Sequence, residues 1–88
     1  MAFEFLLWDL EDDPEGNVVH CAAHGVTPEE IEQVFENVDG VDMSRTSGRP
    51  VVFGHTQTGR YLMVVFEIVD PNMAYPITAY DVPEKVSR

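Results

Sequence analysis

The clearest pattern along the chain lies between Val26 and Val38. Ile31, Val34, Phe35 and Val38 recur at helical spacing, while Glu29, Glu32, Gln33 and Glu36 take the opposite, wet side. Ahead of them Thr27-Pro28-Glu29-Glu30 reads as a capping box, with Val26 and Ile31 placed to close a hydrophobic staple. The pattern predicts a helix over about 28–37. Upstream, Asp12-Asp13-Pro14 opens another: Asp13 suits the cap, Pro14 the first helical position and Glu15 the dipole. That helix is expected to run to about His24, with Gly25 as its C′ residue, although Gly16 weakens it.

The remaining segments read as strands. Phe3–Trp8 alternates, with Phe3, Phe5 and Leu7 on one face and Glu4, Leu6 and Trp8 on the other. Val41–Thr46 is a weak strand, Ser47-Gly48 a turn, and Pro50–Gln57 a strand centred on Val51-Val52-Phe53. Thr58-Gly59 turns the chain into the longest strand, Arg60–Val69, which is apolar on both faces and so suits a central, doubly covered position. Asp70-Pro71-Asn72 turns it again into Met73–Asp81. Pro76 lacks an N–H, so this strand is an edge or carries a bulge. Val82–Arg88 is a tail.

The order β-α-α-β-β-β-β predicts an α+β domain, residues 1–88, with two helices on one face of an antiparallel sheet. The other face, expected to carry Leu6, Trp8, Tyr61, Met63 and Val65, is then either a homodimer or partner surface or a face capped by the tail and aromatic side chains.

Charge narrows the function classes. Sixteen Asp and Glu stand against five Lys and Arg, a formal net charge of −11. That opposes holding nucleic acid by phosphate neutralisation, and docking on an anionic membrane. The longest near-apolar run, Tyr61–Val69, is too short to span a bilayer and contains Glu67. The N-terminus shows no secretion signal and the single cysteine forms no internal disulfide, so a cytoplasmic protein is expected.

Few residues offer chemistry. His20 and His24 lie one turn apart, a spacing that suits a transition metal if a third ligand joins, or a helix C-terminus that favours a partly cationic side chain. Cys21 between them reads either as a nucleophile with a histidine base or as a small buried hydrophobe. His55, at a strand end, suits a general acid or base, or a solvated turn. Arg49 and Arg60 are conspicuous on so acidic a chain: they are phosphate or carboxylate clamps, or they pair with nearby acids. No glycine-rich phosphate loop, zinc knuckle or assignable Ser-His-Asp set is present, and no cofactor is expected.

Trp8-Asp9, Asn17, then His24-Gly25-Val26-Thr27 leading into Glu29-Glu30 and Val34-Phe35 resemble the N-terminal half of the BrnT toxin family. Arg49–Phe53, Gly54, Thr56, Gly59-Arg60, Leu62 and Val64-Val65-Phe66 resemble its two central strands, and Ile77-Thr78-Ala79 its closing Ile-Ser-Ala. The match covers about residues 8–84, in the same order. The resemblance implies a RelE-like fold, ribonuclease activity that arrests translation, and neutralisation by a ribbon-helix-helix antitoxin. Position by position, Arg49 and Arg60 match basic positions of the family and His24 matches its His. The sequence also departs from the family's pattern. Tyr75 and Tyr80 stand where the family's last strand has arginines, and Ala23 replaces a basic residue before His-Gly. The tail Asp81-Val82-Pro83-Glu84-Lys85 replaces a basic one.

The expectation is therefore a BrnT-like domain that has lost ribonuclease activity and acts as a protein-interaction module. The alternatives are an active RNA-cleaving toxin using Arg49, Arg60, His55 and the tyrosines Tyr75 and Tyr80, and a small metal- or ligand-binding protein using His20 and His24.

Overall fold

A computed structural model describes residues 3–83 of the chain; the expected tail beyond residue 83 lies outside the described residues. The elements are β1 (Phe5–Leu6), α1 (Asn17–Ala22), α2 (Pro28–Glu36), β2 (Val38–Met43), β3 (Pro50–His55), β4 (Tyr61–Asp70) and β5 (Met73–Asp81). They form an α+β domain whose five strands lie in the order β1-β5-β4-β3-β2. β2 to β5 are antiparallel neighbours, but β1 joins β5 in parallel, so the sheet is mixed and not antiparallel throughout. The two helices carry the chain from the β1 edge of the sheet to the β2 edge, and β5 returns to β1 only after the three intervening strands.

α2 forms as its caps dictate. The Thr27 hydroxyl accepts from the Glu30 N–H at 3.2 Å, and the Glu30 carboxylate accepts from the Thr27 N–H at 3.0 Å. Val26 and Ile31 are both fully buried, as the staple requires. α1 is shorter than expected. The Asp13 carboxylate is spent on the Glu15 N–H in a tight turn, and the helix begins after Gly16, with no side chain capping it. Gly16 is needed there because a Cβ would lie 2.6 Å from the Cβ of Asp9.

The core lies between the helices and the sheet: Cys21, Ile31, Val34, Val52, Leu62, Val64 and Phe66 are fully buried. Phe66 is its centre, with Phe3 and Phe35 edge-on at 5.6 and 5.2 Å. α2 settles closely on β3 because Gly54 has no side chain; a Cβ would meet the Asn37 carbonyl at 2.9 Å.

Several expectations are corrected. The first strand keeps only two residues. Pro76 has no N–H to extend the β1–β5 ladder, and the ladder ends where the Leu7 N–H reaches the Ala74 carbonyl. Leu6 and Trp8 pack on the helix-side core and therefore add nothing to the opposite sheet face, while Phe5 and Leu7 are exposed. The second strand spans Val38–Met43, displaced toward α2 from the expected Val41–Thr46, with a bulge between Val38 and Gly40. β4 is not covered along its whole length: Phe66 is buried, but Ile68 and Val69 stand beyond the helices and are exposed. β5 bears out the bulge expected at Pro76, since Phe66 pairs with Pro76 directly after Val65 pairs with Thr78.

Candidate functional site

One end of the sheet gathers several titratable side chains. His55 closes β3 and pairs in register with Tyr61, the first residue of β4. Their rings lie 4.7 Å apart, Phe53 stacks on Tyr61 at 6.2 Å, and the Tyr61 hydroxyl donates to Asp39 at 3.2 Å. The turn between β3 and β4 is fixed by Thr56, whose N–H donates to the Arg60 carbonyl and whose hydroxyl accepts the Arg60 N–H. Gly59 takes φ 91° to close it, a backbone that favours glycine.

Arg60 leaves this turn, and each nitrogen of its guanidinium group donates to a neighbour. Nε and Nη2 donate to the two Asp81 oxygens at 3.1 and 2.8 Å, a bidentate fork. Nη1 donates to Glu30 at 2.8 and 2.9 Å and to the Gly25 carbonyl at 2.9 Å. The capping carboxylate of α2 therefore doubles as an ion-pair partner. Arg60 holds the Asp81 carboxyl below the usual carboxylate range, while the two carboxylates raise the guanidinium's own value. The arrangement ties the start of α2 and the α1–α2 turn to the end of β5.

Beside this cluster, His24 follows the end of α1 and meets Tyr80 at 5.7 Å, with His20 a further 5.6 Å along. Among the described residues no group of three or more His, Cys, Asp or Glu is placed to hold a metal ion. Cys21 is fully buried, and burial pushes its thiol up to about 11, far from a nucleophilic thiolate.

The remaining two candidates sit elsewhere. Tyr75 lies across from Glu67 on β4, and its hydroxyl donates to Asp9 Oδ2 at 2.5 Å. The carboxylate pushes the phenol up to about 12, while the same bond, with the Asn17 N–H, holds Asp9 below its ordinary value. Arg49 precedes β3 at the opposite end from His55; six strand residues put about 20 Å between those ends. Arg45 shares that β2–β3 loop. The structure thus brings His55, Arg60 and Tyr80 to one end, with His24, and separates them from Arg49 and Tyr75.

Sequence reasoning passed over the partners Glu30, Asp81, Asp9 and Asn17. Asp81 was within reach of it. A turn at Pro71-Asn72 sets Asp70 opposite Met73 and, counted outward, Leu62 opposite Asp81, next to Arg60. Two bulges interrupt that hairpin but offset each other, so the outer register survives.

A comparison of the chain with protein-family models, with curated proteins and with solved structures finds no match. Among the described residues no helix is long and apolar enough to cross a membrane.

Proposed function

We propose that this chain is a BrnT-like domain of RelE-like fold that has lost ribonuclease activity and works as a protein-interaction module. The element order, with two helices between a first strand and four antiparallel ones, supports the fold assignment. One observation carries the functional half: the guanidinium of Arg60 already donates to Asp81, Glu30 and Gly25. RNA cleavage needs a cation free to hold the backbone and to stabilise charge developing at phosphorus. The other two described arginines lie at the far end of β3, away from His55 and Tyr80. The net charge of −11 adds long-range repulsion of RNA. On this reading the family's scaffold is kept for binding a protein, and a small ribbon-helix-helix protein is the partner class that the resemblance implies.

The test is RNA cleavage at low salt by the unaltered chain beside a Tyr75→Arg/Tyr80→Arg variant. No cleavage by the unaltered chain is expected. Cleavage that is lost on replacing His55 or Arg60 would overturn the proposal in favour of an active toxin. Activity appearing only in the double variant would identify the missing charge as the cause of the silence.

A further inference from the structure

Two open grooves flank α2. One, of about 390 Å³, lies between α2 and β1; Phe3, Phe5 and Phe35 form its apolar part and Glu4, Glu32 and Glu36 its rim. The other, of about 410 Å³, lies between the helices and is lined by Val18, Ala22 and Val26 together with Glu11 and Glu29. Glu29, Glu32 and Glu36 follow one another at helical spacing and form an acidic ridge between the two. Phe5 is 58% exposed, a large apolar surface left to water.

Among the described residues no cationic side chain lines either groove. Arg60 is held by Glu30 and Asp81, and Arg45 and Arg49 lie in the β2–β3 loop. The ridge therefore has no described internal counter-charge. Its occupant must bring apolar anchors for the grooves and positive charge for the ridge. A second copy brings the wrong sign, since it would set one acidic ridge against another. An anionic lipid surface or a nucleic acid brings the wrong sign too.

We propose that the α2 ridge and its two grooves bind a cationic amphipathic segment of a partner protein. This inference rests on the interaction-module reading and supplies the chemistry of the partner. Glu36 lies seven positions after Glu29, roughly 10 Å along the helix at 1.5 Å per residue. A partner helix matches that span with apolar residues at i and i+7, with Lys and Arg between them. Steering by the acidic surface raises the on-rate, and the apolar anchors slow dissociation.

The experiment uses three labelled synthetic peptides, read by fluorescence anisotropy at physiological salt. The first carries Leu at i, i+3 and i+7 among Lys and Arg, the second replaces Lys and Arg by Glu, and the third replaces Leu by Gln. The first is expected to bind at least about tenfold tighter than either control. Glu32→Lys/Glu36→Lys is expected to weaken it about tenfold or more. Asp42→Lys/Glu67→Lys makes the same change in net charge away from the ridge, and is expected to leave affinity within about threefold, because remote exposed charges are screened. Equal loss in both variants would reduce the effect to net charge and overturn the inference. So would failure of the first peptide to bind, or a homodimer in sizing that Glu32→Lys/Glu36→Lys dissociates. Circular dichroism of each variant checks that it is folded. The RNA assay is read separately: cleavage overturns the module reading whatever the peptides do, and peptide failure without cleavage overturns only the groove.

Discussion

Asn17 stands in for the N–H that Pro76 lacks. A parallel β1–β5 ladder would continue with residue 76 donating to the Leu7 carbonyl. Instead the Asn17 Nδ2 donates to Leu7 O at 2.9 Å and to Pro76 O at 2.8 Å, while its Oδ1 accepts the Asp9 N–H at 2.9 Å. One side-chain amide thus closes the ladder that the proline interrupts, and pins the first residue of α1 to the sheet edge. Asn17 is only 2% exposed, so each of these groups is poorly placed to find water once the amide is gone.

Asn17→Ala is therefore expected to cost about 2–4 kcal/mol, the loss of several buried hydrogen bonds with their partners left in place. Asn17→Asp keeps the shape but presents acceptors to two carbonyls and sets a second carboxylate beside Asp9; it is expected to be at least as damaging. Urea unfolding midpoints check both. Hydrogen exchange at the Leu7 and Asp9 amides should accelerate before the rest of the sheet opens.

Arg60→Ala is expected to destabilise the fold by about 1–2 kcal/mol. The figure is modest because the Arg60 side chain keeps 29% of its surface in water and Asp81 still more. Arg60→Lys should recover little of it, since an ammonium cannot form the fork to both Asp81 oxygens while reaching Glu30 and the Gly25 carbonyl. Thermal unfolding at low and high salt separates these contributions: the gap between wild type and Arg60→Ala should narrow as salt rises.

How much of this was legible depended on whether the information was local. The capping box and staple of α2 involve Thr27, Glu30, Val26 and Ile31, all within one turn, and they form as the residues dictate. The glycine turns at Gly48 and Gly59 are local for the same reason. What was hidden depended on tertiary geometry. Asp13 seemed a helix cap, but Gly16 had to pass against Asp9, and that contact moved the start of α1 to Asn17. Leu6 and Trp8 were assigned to the open face by alternation alone; the parallel pairing of Leu6 with Ala74 turned them toward the helices. For the site, residue type marked Arg60 as unusual, and it is. Only the fold disclosed that Glu30 and Asp81 close on it from two other elements.

Thr78 invites a substitution that should stabilise. Its Oγ1 is buried with no hydrogen-bond partner among the described residues, opposite Val65 on β4. A buried hydroxyl without a partner bears the cost of desolvation and gains nothing in return. Thr78→Val keeps the branched shape and suits a strand, so it is expected to raise stability by about 1 kcal/mol. A chemical denaturation midpoint that falls would mean that the hydroxyl is satisfied in solution.

Cys21 should be inert in the folded protein. The side chain is fully buried and its thiol is pushed up to about 11 by burial. At neutral pH a thiol-specific disulfide reagent is expected to react only at the rate at which the core opens, and at full speed in denaturant. Rapid reaction of the native protein would show that the core between α1 and β5 opens far more readily than its packing implies.

The Tyr75–Asp9 pair makes stability fall at both ends of the pH scale, through opposite signs. Tyr75 is raised to about 12 by its bond to Asp9, so between pH 10 and 12 the unfolded chain has lost a proton that the folded chain keeps. Alkali therefore favours unfolding across that window. Asp9 is held below its ordinary value, chiefly by the same bond. Its contribution is complete above the unfolded carboxyl value near 4 and disappears as pH falls through the folded one. Tyr75→Phe removes the cause of both shifts. The expected outcome is a shallower loss of stability both above pH 10 and below about pH 4, and loss of the tyrosinate absorbance step near pH 12. If wild type and Tyr75→Phe gave superimposable acid and alkaline limbs, the hydroxyl would not be bonded to Asp9 in solution. The edge of the sheet would then rest on Asn17 alone.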